Sequence, residues 1–175
     1  MANLRGRRRT HGRPARAGSL NPAVIAAGGL TLIPLATEDA QRLIDGQPLE
    51  LDCAPGWPHE DTLPGIRLAM EAGCDPGWLV LRDEVVIGEC AVKGGRPYGH
   101  EAEISYGLAG PQRGRGFGTA TVDALSTWLL SQPGIDAVTA EVRRDNAASI
   151  RVLEKAGFRR QGEDAQSYLR LSRTR

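Results

Sequence analysis

Apolar residues along this chain recur at two spacings. Short runs with a period of two, or continuous apolar runs, fall at 30–35, 78–81, 85–92, 101–108, 137–142, 158–160 and 168–171. Turn residues bound most of them, which predicts strands. Helical spacing fills the gaps between strands. Thr37 caps a short helix to about Asp45, with Glu38 and Asp39 in its first turn. A second helical piece, broken near Pro64, runs to about Ala72. The run 119–130 places Val122, Leu125, Trp128 and Leu129 on one face and ends at Pro133-Gly134. Asp145 or Asn146 caps a last helix carrying Ile150, Leu153 and Ala156, stopped by Gly157. The strands at 78–81 and 85–92 read as a hairpin turning at Arg82-Asp83-Glu84. Residues 47–58 read as irregular and 93–99 as a Gly/Pro-rich turn. The order β-α-α-β-β-β-α-β-α-β-β predicts an α/β fold of mixed type. Its central sheet is mixed, largely antiparallel and about seven strands wide, with helices on both faces.

Composition narrows the class without changing this picture. A chain of 175 residues is one domain by default, large enough to bury roughly 70% of its unfolded surface. The net charge of +1 hides an asymmetry. Six arginines and no acid occupy the first sixteen residues; the remaining sixteen basic residues face twenty-one acidic ones, a net of −5. Residues 1–28 therefore read as a disordered Arg-rich tail, or as residues before a true start, and 29–175 as the folded domain. A mildly acidic body argues against nucleic acid as a partner. Three widely spaced cysteines (Cys53, Cys74, Cys90) and three scattered histidines offer no metal spacing, and point to reduced thiols in a cytoplasmic protein. No apolar run reaches the ~18–20 residues that cross a bilayer, and Gly28, Gly29 and Pro34 interrupt the stretch that most resembles a signal peptide.

The candidate chemistry lies between the strand at 101–108 and the helix after it. Gln112-Arg113-Gly114-Arg115-Gly116-Phe117-Gly118-Thr119 alternates glycine with larger residues. Missing Cβ atoms let an anion approach the backbone, and the helix start adds unpaired N–H groups and a positive dipole end. Arg113 and Arg115 add forked cationic donors. This pattern predicts a site for phosphate or pyrophosphate.

A second block, Asp145-Asn146-Ala147-Ala148-Ser149-Ile150-Arg151-Val152-Leu153-Glu154-Lys155-Ala156-Gly157-Phe158, follows in order. Together with Glu103-Ile104-Ser105-Tyr106-Gly107-Leu108 and the glycine turn, it resembles the GNAT superfamily of N-acetyltransferases, RimJ/RimL-like branch, over about residues 29–172. Arg113, Gly116 and Gly118 fit that family's R-x-x-G-x-G/A signature. The resemblance implies a sheet splayed between two central strands and acetyl-CoA as co-substrate. Backbone N–H groups from Arg113 to Thr119 would hold the pyrophosphate, and Leu108 and Ala109 the pantetheine arm. Asn146 and Ser149 match positions near the thiol. Glu103 matches the acidic residue of the RimL-like strand and is the candidate base, while a backbone N–H near Leu108 would steady the oxyanion. The family's usual Tyr acid falls at Leu153, so Ser149 is the candidate for steadying the thiolate, and Tyr106 is a nearby residue that could substitute for it. Trp57 and His59 match the acceptor region. The acceptor would be a primary amine, of a protein N-terminus or a small molecule, and an edge strand near the C-terminus allows a homodimer.

Two rival readings remain at this level. One is a non-catalytic acyl-CoA-binding module. The other is a dinucleotide-binding oxidoreductase, since Gly114-x-Gly116 begins a Rossmann-like fingerprint whose third glycine falls at Thr119 instead.

Overall fold

The computed structural model describes Leu20 and residues 22–93, 99–163 and 167–175. Its elements are β1 (Ile25–Ala27), β2 (Leu30–Pro34), α1 (Thr37–Ile44), α2 (Thr62–Glu71), β3 (Trp78–Arg82), β4 (Val85–Val92), β5 (Glu101–Leu108), α3 (Phe117–Ser131), β6 (Ala137–Arg143), α4 (Ala147–Lys155), β7 (Arg159–Glu163) and β8 (Tyr168–Thr174). One eight-stranded sheet runs in the order β1-β2-β3-β4-β5-β6-β8-β7. Every pairing is antiparallel except β5 with β6. A dinucleotide fold needs two βαβ halves on a parallel sheet, so the oxidoreductase reading is corrected.

Several expected boundaries move. The expected tail ended at residue 28, yet Ile25–Ala27 forms an eighth strand, turned onto β2 by Gly28 and Gly29 at φ of 54° and 86°. The remaining tail positions, 1–19 and 21, lie outside the described residues, as do 94–98 of the expected Gly/Pro-rich turn. Pro64 does not break α2: it lies in the first turn, where its missing N–H removes no helical bond. Ala36, not Thr37, is the N-cap of α1, and α3 begins two residues before Thr119.

Both faces of the sheet are covered. Trp78, Leu79, Val80 and Leu81 are buried in succession, which in a strand requires apolar cover on either side. On one face Trp78 meets Trp128 of α3 edge-on, ring centroids 5.3 Å apart. There Val122, Leu125 and Leu129 are fully buried. Residues 57–62 cover the other face of β4 through Trp57, His59 and Thr62, and residues 52–54 run beside β4 as a short parallel bridge. Ala54 donates to the Val86 carbonyl and Val86 to that of Asp52, both at 2.8 Å.

β5 pairs with β6 only over Glu101–Glu103, opposite Ala137–Thr139. Its pairing with β4 covers the other end, Ile104–Leu108. The sheet therefore opens between β5 and β6 beyond Glu103.

Candidate active site

The strand register decides which backbone groups face this opening. Ala109 donates to the Ile87 carbonyl, which makes Gly88 and Leu108 a non-hydrogen-bonded pair. The main-chain N–H and C=O groups of Leu108 and Tyr106 then point away from β4, where no strand pairs with them. Arg113 Nε donates to the Leu108 carbonyl at 3.0 Å, so this arginine braces the end of β5. The Ala109 N–H is held by β4 and its carbonyl by the N–H of Gln112.

Beside this edge lies the glycine turn. Gly114 and Gly116 take φ of 74° and 85°, a region that side chains other than glycine rarely adopt. A Cβ at either would meet nothing within 4 Å, so open space adjoins both. Gly116 is the N-cap of α3 and gives no side-chain cap. Its carbonyl accepts the Ala120 N–H, which leaves the N–H groups of Phe117, Gly118 and Thr119 without helical acceptors. The guanidinium carbons of Arg115 and Arg82 lie 5.1 Å and 4.9 Å from the centroid of the Phe117 ring. Arg82 comes from the β3–β4 hairpin, and no motif announced it.

Tyr106 and Ser149 are brought together here. Tyr106 shares the α3 face of β5 with Ile104 and Leu108, its ring beside Gly118. Burial pushes its phenol pKa up, and the Ser149 hydroxyl offsets part of that rise. The Tyr106 hydroxyl is nonetheless buried without a well-formed hydrogen bond among the described residues. An orphaned donor beside an unpaired strand edge and an uncapped helix fits an elongated ligand with phosphates at one end and a polarisable atom at the other. Asn146 caps α4, its Oδ1 accepting the Ser149 N–H at 3.0 Å.

The opposite face of β5 carries Glu101, Glu103, Ser105 and Gly107. Glu103 lies where β5 still pairs with β6, and its Oε1 is bound to Lys93 Nζ at 2.5 Å. Toward the other end of the strand is a cluster that the sequence reading named only in part. Glu89 of β4 stands opposite Gly107. Its Oε2 accepts from Trp57 Nε1 (2.6 Å) and Thr62 Oγ1 (3.1 Å), and its Oε1 lies 2.6 Å from His59 Nε2. Trp57 is thus a buried anchor, and His59 is half-buried. A Cβ on Gly107 would overlap both His59 Nε2 and Glu89 Oε1, so only glycine lets the pair rest on β5.

The N–H of Asp61 points at His59 Nδ1 (3.2 Å), which in the neutral ring puts the proton on Nε2, toward Glu89. The Glu89 hydrogen bond holds the His59 pKa above the ordinary histidine value, against burial and Arg113, which lower it. A raised folded pKa stabilises the fold fully below the unfolded value of about 6.5, and that contribution is lost as pH rises through the folded one. Urea unfolding of wild type and His59→Gln is expected to show a wider stability gap at about pH 5.5 than at about pH 8.5. A gap that grows with pH would contradict this ion pair.

Among the described residues, no three His, Cys, Asp or Glu are grouped to hold a metal ion, and no helix is long and apolar enough to cross a membrane. A glycine turn feeding an uncapped helix lies beside an open strand edge, and the three together have the shape and donors to take an extended anion. A match to the acetyltransferase (GNAT) domain spans residues 29–159, and the chain belongs to that acetyltransferase family. The fold agrees. A RimL ribosomal L7/L12 α-N-protein acetyltransferase in complex with CoA superposes with a TM-score of 0.65 at 20% identity, over 87% of this chain and 98% of that one. Mycobacterium smegmatis RimJ in complex with CoA-disulfide gives 0.59 at 22%, over 87% and 86%. The aminoglycoside acetyltransferase AAC(6')-Ib with CoA and kanamycin gives 0.59 at 25%, over 83% and 95%.

Proposed function

We propose that this protein transfers the acetyl group of acetyl-CoA to a primary amine. The observation that carries this is the unpaired edge of β5 leading into the uncapped start of α3, with the orphaned Tyr106 hydroxyl between them. Acetyl-CoA, when bound, supplies an acyl group activated as a thioester. The N–H groups of Phe117, Gly118 and Thr119 would hold its pyrophosphate, with Arg115 and Arg82 adding positive charge. The main chain of β5 at Tyr106 and Leu108 would pair with the pantetheine amides as an added strand does, and one backbone N–H near Leu108 would meet charge growing on the carbonyl oxygen. Tyr106 and Ser149 offer hydroxyls for the departing sulfur.

The acceptor would approach the other face, where Asp61 and Glu89 favour a cationic amine. The RimL and AAC(6')-Ib neighbours are, by name, acetyltransferases of a ribosomal-protein α-amine and of an aminoglycoside, and this chain is expected to take an amine of one of these kinds. Thermal melting tests the donor. CoA or acetyl-CoA at a hundredfold excess over Kd adds about 2.7 kcal/mol, roughly 5–10 °C for a domain of this size, while NAD and NADP add nothing. Free-thiol release is then followed with peptides bearing free N-termini, spermidine and kanamycin. No shift with either CoA species would sink the reading. A shift without turnover of any amine would leave a binding module.

A further inference from the structure

A part-buried polar cluster outside the glycine turn joins Glu89 to Trp57, His59 and Thr62. We propose that Glu89, rather than Glu103, is the proton acceptor of the transfer, and that Trp57, His59 and Thr62 are positioning residues that hold its carboxylate; this rests on the acetyl-transfer reading above. A carboxylate offers about four lone-pair sites. Trp57 and Thr62 fill those of Oε2, and His59 fills one on Oε1. Thr62 Oγ1 itself accepts the His59 N–H at 3.1 Å, which turns its own proton toward Glu89. One lone pair on Oε1 stays open, and the side chain keeps 18% of its surface exposed. No lysine or arginine binds this carboxylate among the described residues, whereas Lys93 holds that of Glu103.

Position separates the two carboxylates further. Gly107, against which Glu89 and His59 rest, lies in the stretch of β5 that pairs with β4 and that β6 leaves open. The pair is therefore about one strand spacing, roughly 4.8 Å, from the opening. Glu103 lies four residues back, about 13 Å along the strand, where β6 closes the gap.

In the step, an ammonium acceptor gives one proton to Glu89 Oε1 and becomes a neutral nucleophile. Its nitrogen forms the N–C bond to the acetyl carbon and the C–S bond breaks. The sulfur leaves with the electron pair and takes up the second nitrogen proton, directly or by way of Tyr106. Glu89 then returns its proton to water. The charged groups facing the carboxylate are His59, with Asp61 and Arg113 around that ring; Cys90, its neighbour in β4, points to the other face.

The test measures CoA release against pH, with methylamine and the fastest amine of the panel above as acceptor probes, for wild type, Glu89→Gln, Glu103→Gln and Gly107→Ala. Glu89→Ala is assayed with and without sodium formate. Expected is a fall in kcat of about 100-fold or more in Glu89→Gln, with CoA-induced stabilisation intact and the acidic limb of the profile displaced. Gly107→Ala keeps every charge but displaces the pair, and is expected to lose kcat in the same way. Formate, seated among the Trp57, His59 and Thr62 donors, is expected to restore part of the Glu89→Ala rate. A Glu89→Gln profile parallel to wild type, or loss of activity that formate leaves untouched, would make the carboxylate a structural link and overturn the proposal. Displacement of the limb in Glu103→Gln alone would overturn it as well. No CoA release by wild type with any acceptor would overturn the acetyl-transfer reading itself.

Discussion

Valine in place of Gly116 is expected to weaken CoA binding at least tenfold and to cost the fold about 1–3 kcal/mol. The residue takes φ of 85° at the N-cap of α3, where a β-branched side chain is strained whatever space surrounds it. That space is empty, so the penalty is torsional and not a clash. Relief comes by rotating the peptides that aim the Phe117 and Gly118 N–H groups outward. Tenfold is 1.4 kcal/mol, about the worth of one charge-assisted hydrogen bond to an anion. Titration calorimetry with CoA and a urea melt on the same protein separate the two effects. An affinity within twofold of wild type would mean that the phosphates are held elsewhere.

Leu125→Ala is expected to lower stability by about 2–5 kcal/mol, moving Tm down by roughly 5–15 °C. Leu125 is fully buried on the face of α3 that lies against the sheet. Helix α3 touches β1, β2, β5 and β6, so little can move to fill the void. Domains of this kind hold roughly 5–15 kcal/mol in total, and the variant retains a folded but weakened state. Its CoA affinity, once folded, is expected to stay within about threefold, because the helix start lies two turns away. A loss below about 1 kcal/mol would mean that α3 is seated more loosely than its burial indicates.

What can be read from the chain divides along a physical line. Local patterns carry far: period-two and continuous apolar runs located seven strands, and glycines at alternate positions located the turn before α3. Ile25–Ala27 escaped because three residues are too few for a period, and its partner confers the strand identity. Pro64 was read as a breaker because composition does not show that it falls in a first turn. The acceptor face was the least legible. Trp57 and His59 stood out as lone polar or aromatic residues in an irregular segment, but Glu89 looked like one acid in an apolar strand. The link between them spans thirty residues of sequence and exists only after residues 57–62 fold over β4. No spacing rule encodes such a contact. In the same way Arg113 presented itself as a phosphate ligand, while its nearest partner is the Leu108 carbonyl.

The three-residue parallel pairing of β5 with β6 has a consequence for how the molecule breathes. It divides the sheet into two leaves, β1–β5 and β6–β8, hinged at Glu101–Glu103 like a book held near one end of its spine. Helix α3, the Arg173 bond to Asp123 and the Arg170 bond to Glu101 at the hinge bind the covers together, and beyond the hinge no strand pairing crosses the gutter among the described residues. A ligand laid along that gutter becomes part of the binding. Its affinity and the cohesion of the two leaves are then one quantity, and amide exchange in both leaves should slow together when the gutter is filled.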